Sequence, residues 1–129
     1  MSKSKKIKDI AKNIVKVDMC MKVSNNDIVG EVLRDNDTYT VIDNTFLNNL
    51  TLSKTLLKPL KHTKGHSHAG LEEIYFFLNG NGRIKLGDEF INVTGGDVIL
   101  INEGVFHQVF NDSEENVLEF NCVFQKYNR

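Results

Sequence analysis

Gly65-His66-Ser67-His68-Ala69-Gly70-Leu71-Glu72-Glu73 and, after a gap, Gly96 through Asn111 with His107 inside it, are the two stretches that decide the fold. Together they hold three imidazoles and a carboxylate, the ligand set of a mononuclear divalent-metal site on a β-scaffold. Side chains alternate faces along an extended strand, so His66 and His68, two positions apart, point the same way. Two ring nitrogens then converge on one ion without bending the backbone. Gly65 and Gly70 leave room for a turn at either end. Glu72 and Glu73 are adjacent and face opposite sides of a strand, so only one of them serves as a ligand. Glu73 would open the next strand, Glu73-Ile74-Tyr75-Phe76-Phe77-Leu78, which ends at the turn signal Asn79-Gly80-Asn81-Gly82. Three histidines with one carboxylate suit Mn, Fe, Ni, Co, Cu or Zn and leave one or two positions open for water or substrate. A lone His-x-His pair is more often surface decoration, and His107 alone says less still. The combination carries the reading.

Outward from these stretches, apolar or alternating runs recur at short intervals: Tyr39 to Ile42, Leu50 to Leu57, Ile74 to Leu78, Arg83 to Leu86, Phe90 to Val93, Val98 to Ile101, His107 to Phe110 and Val117 to Phe124. Turn signals separate them at Asp43-Asn44, Asn79-Gly80, Gly87-Asp88, Gly95-Gly96 and Asn111-Asp112. Many short strands at this spacing predict an all-β sandwich or barrel. The chain's 129 residues are one domain's worth, enough to bury a core with little to spare.

The same residues resemble a known family: the chain is similar to a small single-domain cupin. That family's first motif reads Gly-x5-His-x-His-x3–4-Glu-x6-Gly, and His66, His68, Glu73 and Gly80 fit it. The frame through Glu72 leaves seven residues before Gly80, so the motif selects Glu73. The second motif reads Gly-x5-Pro-x-Gly-x2-His-x3-Asn, and Gly96, Gly104, His107 and Asn111 fall at its offsets. Two positions depart from the pattern. Leu60 stands where the first motif's leading glycine belongs, and Asn102 stands where the second has proline. Both are turn positions, so they bear on loop geometry and not on the ligands. The resemblance covers residues 50 to 124. It implies a double-stranded β-helix, a jelly-roll barrel, with His66, His68, Glu73 and His107 holding one divalent transition metal per chain (Mn, Fe, Ni, Zn or Co). It also implies a homodimer. Long apolar strands such as Leu50 to Leu57 agree, because edge strands need cover.

The barrel is expected over residues 36–129, preceded by a helix and extension over residues 1–35 that pack on it or on a partner subunit. Ile7, Ile10, Ala11, Ile14 and Val15 recur at helical spacing among Lys5, Lys6, Lys8, Lys12 and Lys16, which predicts an amphipathic helix of about three turns. Such a basic segment touches anionic membrane or nucleic acid in some proteins, but packing on the barrel or a partner is the favoured reading. Sixteen basic residues against 17 acidic ones leave no electrostatic footprint for nucleic acid. Charges interrupt every apolar stretch before residue 30, so neither a signal-peptide core nor a membrane span is expected. Cys20 and Cys122 make no metal or redox spacing, and a cytoplasmic protein with reduced thiols is the simplest expectation. Cys122 alternates with Leu118, Phe120 and Phe124 as a small core residue, with a pocket thiol as the alternative.

Residues that share a strand face with the ligands can reach the pocket. Lys64 and His62 share parity with His66, Tyr75 and Phe77 with Glu73, and Val109 with His107. Tyr75 is the candidate general acid or base and Lys64 the candidate cation for a carboxylate or phosphate. The plainer readings are a core aromatic and a solvated rim residue. Three functions fit a metal in such a pocket. A Lewis-acid metal serves an isomerase or epimerase of a sugar phosphate or sugar nucleotide, the reading favoured by the loose similarity of residues 62–75 to small cupins of sugar metabolism. An Fe(II) ion serves a dioxygenase, with a metal-dependent lyase of a small carboxylate as a variant. In the third, the barrel binds a metal or small molecule without catalysis.

Overall fold

The β-branched and aromatic runs become strands, as their period-two patterning predicts. The computed structural model describes residues 6–9 and 14–127, and these contain strands and no helix. The strands are β1 (Lys6–Asp9), β2 (Ile14–Val17), β3 (Cys20–Lys22), β4 (Glu31–Asp35), β5 (Tyr39–Asn44) and β6 (Leu50–Leu57). They continue with β7 (Glu73–Asn79), β8 (Asn81–Leu86), β9 (Glu89–Thr94), β10 (Val98–Ile101), β11 (His107–Asn111) and β12 (Leu118–Gln125). A six-stranded sheet runs in the order β10-β7-β12-β6-β5-β4, a three-stranded sheet in the order β11-β8-β9, and β1-β2-β3 form a separate small sheet. Every pairing is antiparallel. The architecture is the jelly-roll barrel expected from the motifs.

Alternation decides what faces inward. Along β7, Glu73, Tyr75 and Phe77 are buried while Ile74 and Phe76 are exposed. Along β12, Leu118, Phe120, Cys122 and Phe124 are buried. They meet Ile84, Val93 and Val109 of the three-stranded sheet to form one core. Fully burying each such large side chain contributes about 1.5–3 kcal/mol. Asn111 ties the barrel's end together, because its Nδ2 donates to the carbonyls of Leu57 (2.9 Å) and Asn116 (2.8 Å).

The expected turns are built where the motifs place them. Gly80 has φ +98°, and a Cβ there would lie 2.7 Å from the Val117 carbonyl oxygen, so no other residue fits. Leu60 occupies the motif's leading glycine position and retains the glycine-like backbone, with φ +59°. A β-carbon in that conformation costs roughly 1–2 kcal/mol.

Two expectations are corrected. The N-terminal helix is absent where the structure describes that segment: Lys6–Asp9 and Ile14–Val17 are strands paired with each other, and residues 10–13 lie outside the described residues. The segment around Ile14, Val15 and Val17 is β-branched, and antiparallel pairing outweighed a helical spacing that rested partly on Ile10 and Ala11. Leu50–Leu57 is not an edge strand either; β6 lies between β12 and β5, and the sheet's edges are β10 and β4. No helix among the described residues is long and apolar enough to cross a membrane.

The chain before β4 crosses the outer face of the large sheet. Asn44 Nδ2 donates to the Ile28 carbonyl (2.6 Å), and Ile28 is buried. Lys54, also buried, donates from Nζ to the Asn25 carbonyl (2.8 Å) and is ion-paired with Glu119.

Candidate metal centre

Glu73 is the first residue of β7 and His107 the first of β11, and both side chains point into the barrel. Glu73 Oε2 and His107 Nε2 lie 2.7 Å apart and both are buried, yet neither has a hydrogen-bond partner of acceptable geometry. His107 Nδ1 lies 2.9 Å from the Val105 carbonyl oxygen. That oxygen only accepts, so Nδ1 carries the proton and the Nε2 of a neutral ring presents a lone pair. A lone pair and a carboxylate oxygen in contact, out of water, require positive charge between them. A proton or a metal ion would supply it, and a backbone-anchored imidazole is how metal-ligating histidines are held.

His66 completes the group. Its ligand atom and those of Glu73 and His107 lie within 4.8 Å of one another, with His66 Nε2 3.9 Å from Glu73 Oε2. Residues 61–66 are not the regular strand that the His-x-His spacing predicts. They run beside β11 and join it by isolated bridges at His62↔Phe110 and His66↔His107. Gly65 is the reason: its φ of +75° breaks the alternation, and a Cβ there would strike the Phe106 ring at 2.6 Å. His66 and His68 nonetheless remain neighbours, with ring centroids 4.4 Å apart. His68 stands just outside the tight group, its Nε2 3.2 Å from the Tyr127 hydroxyl.

Burial pushes the Glu73 carboxyl up, but when the neighbouring rings are protonated the hydrogen bond from His107 and the charge of His107, His66 and His68 outweigh it, so the carboxyl sits below its ordinary value. A carboxylate that stays ionised while buried is what a cation site requires.

The group opens onto a cavity of about 330 Å³ inside the barrel. Lys64, His66, Glu73 and Tyr75 line it, as anticipated, and so does Cys122, which is both a core residue and a wall of the pocket. Tyr75 is buried, stacked on Phe120 (centroids 5.5 Å apart) and edge-on to His107 (5.5 Å). Phe77 and Val109 belong to the core and do not line the cavity, and the His62 ring instead faces Phe110 at 5.3 Å. Several further lining residues escaped the sequence reading, among them Tyr39, Arg34 and Tyr127. Tyr39 was legible in principle, since it alternates with Val41 in a recognised strand. Tyr127 follows the last strand and carries no periodic signal.

The family model described as "Cupin domain" matches residues 55–124, more than half of the chain. This chain is a cupin. Solved structures share the fold at low identity. The TT1209 protein of Thermus thermophilus is 22% identical, with a TM-score of 0.65 over 74% of this chain and 90% of its own. An RmlC-like cupin of Shewanella frigidimarina is 13% identical, with a TM-score of 0.65 over 78% of this chain and 87% of its own. The polyketide cyclase RemF of Streptomyces resistomycificus is 21% identical, with a TM-score of 0.67 over 81% of this chain and 78% of its own. Comparison with curated proteins found no match. Neighbours this diverse fix the cupin's architecture and leave its reaction to the site.

Proposed function

We propose that this cupin holds one divalent transition metal per chain through His66, His68, Glu73 and His107 and acts on a small polar metabolite. A sugar-phosphate or sugar-nucleotide isomerisation or epimerisation is the favoured reaction. The observation that carries the reading is the buried contact between Glu73 Oε2 and a His107 nitrogen whose proton lies on the far side of the ring, beside an open cavity. The ion supplies Lewis-acid polarisation of a hydroxy-carbonyl group. Tyr75 presents its ring edge-on to His107, and as the general acid or base it moves the proton between neighbouring carbons. Phe120 and Phe124 wall the cavity and exclude water, while Lys64 orients the substrate's anionic group. His68 is the ligand that must exchange a partner, the Tyr127 hydroxyl, to join the set.

Metal content per chain by plasma mass spectrometry comes first, followed by sugar phosphates in deuterated water. One equivalent of metal with deuterium entering beside the carbonyl supports the proposal; one equivalent of iron with oxygen uptake replaces it with a dioxygenase. Tyr75→Phe is expected to lower kcat by about 10²–10⁴ with metal content unchanged. A lyase of a small carboxylate is the second reading. It is favoured by the cationic side chains lining a small cavity, and it would use Tyr75 to remove a proton beside the carboxylate. The homodimer belongs to the same proposal. Ile74, Phe76, Val98 and Leu100 are exposed on neighbouring strands at the β10 edge, and sedimentation velocity tests whether that strip is covered.

A further inference from the structure

Strand β4 contains a bulge whose effect is to turn one side chain around. Its register against β5 runs Glu31↔Asp43, Val32↔Ile42, then skips to Arg34↔Val41 and Asp35↔Thr40. Leu33 is the extra residue. In an unbulged pairing Leu33 would sit opposite Val41, and Arg34 would share the face of Val32, which is exposed on the outside of the sheet. With the bulge, Arg34 sits opposite Val41, a buried residue of the inner face, and Leu33, Arg34 and Val41 all line the cavity. Bulges placed beside pockets re-aim side chains in this way.

The charge that Arg34 brings has no evident structural use. Its guanidinium donates Nη1 to the carbonyl of its own neighbour, Leu33 (2.8 Å), and no carboxylate among the described residues lies within ion-pair distance. Lys64, from the segment that carries His66, also lines the cavity, and it too is unpaired among the described residues. Among the described residues the only carboxylate lining the cavity is Glu73, which already faces two imidazoles. Much of the remaining wall is aromatic, from Tyr39, Tyr75, Phe120 and Phe124, beside the hydroxyls of Ser53 and Thr55. The pocket therefore has an excess of positive charge at an exposed rim and largely aromatic walls.

We infer that Arg34, turned inward by the Leu33 bulge, acts with Lys64 as an oxyanion clamp that selects substrates bearing a carboxylate or phosphate. This deepens the reading of the cavity given above and rests on it for where the reacting end of the substrate lies. The planar guanidinium takes two oxygens of one anionic group, and the ammonium adds a point charge from the other segment. The rest of the ligand then lies along the aromatic walls, with its reacting end toward Glu73 and His107. A cavity of about 330 Å³ limits the enclosed part to a small molecule.

The test is calorimetric titration of the full chain, metal-free and zinc-loaded, with phenylacetate, phenyl phosphate and the neutral phenylacetamide. At least one anion is expected to bind about tenfold or more tightly than the amide in both forms. Arg34→Gln should erase most of that preference, Arg34→Lys should keep part of it, and thermal melts confirm that both variants fold. Preference for phenyl phosphate over phenylacetate assigns the clamp to phosphates, and the reverse assigns it to carboxylates. Equal affinity for anion and amide, absence of anion binding, or an anion preference untouched by Arg34→Gln overturns the inference. Zinc content measured on the same samples separates the two claims. A chain that takes up zinc without discriminating charge loses only the clamp, and one that discriminates without taking up zinc loses only the metal centre.

Discussion

The two halves of the candidate metal centre are built differently. Glu73 and His107 begin regular strands, are 4% and 2% exposed, and are placed by ladders running through β10, β12 and β8. His66 and His68 come from a segment with only isolated bridges, flanked by Gly65 and Gly70 at positive φ, and the His66 side chain is 44% exposed. The strand-borne half is held in place before any ligand arrives. The loop-borne half has freedom to adjust, and one of its members is engaged elsewhere, at Tyr127. Affinity therefore resides mainly in the first half and access in the second.

The strongest test removes the rigid half. Glu73→Ala and His107→Ala are each expected to weaken metal binding by more than about a hundredfold, measured by competition with a chromophoric chelator. An intact Glu73→Ala site would show that the ligand set is wrong. His66→Ala and His68→Ala should weaken binding by about ten- to a hundredfold and speed metal release; losses as large as those at Glu73 and His107 would abolish the distinction between the halves.

A smaller effect tests the scaffold behind the rigid half. Burial pushes the Glu119 carboxyl up, but the hydrogen bonds and charge of Lys54 and the hydrogen bond from Asn79 outweigh it, leaving it below its ordinary value. A folded value below the unfolded one contributes stability that is present above the usual glutamate range and lost as pH falls through the folded value. Glu119→Gln should cost about 1.5 kcal/mol in denaturant unfolding at neutral pH, with the gap closing below about pH 4, and should leave the ranking of the four ligand variants unchanged. The smallest change lies at the start of the loop-borne half. Leu60→Gly relieves the positive-φ strain at some entropic cost and is expected to stabilise the fold by about 0.5 kcal/mol without altering metal affinity.

Much of this was legible in the sequence, for identifiable reasons. Glu73 and His107 could be placed because period-two alternation and the turn signals that flank them, Gly80 after one and Gly104 before the other, are local, and β5 through β12 were readable on the same basis. The N-terminal segment misled because Ile7, Ile14 and Val15 fit both a helical and a strand period, and only pairing decides between them. The path of residues 61–66 was obscured by Gly65, whose backbone freedom cancels the parity that His66 and His68 suggest. Arg34 could not be found at all: a bulge is a property of two strands in register, and nothing in Glu31–Asp35 alone marks Leu33 as the supernumerary residue.

That single surplus residue behaves like a one-bit inheritance. Because facing alternates strictly along a strand, closing the bulge with Leu33 retained would not tune the charge of the cavity by degrees but would set Leu33 opposite Val41 and send Arg34 to the opposite surface in one event, with Glu73, His66 and His107 untouched. The inward cation thus depends on a one-residue slip in the pairing of β4 with β5, far from the residues of the candidate metal centre.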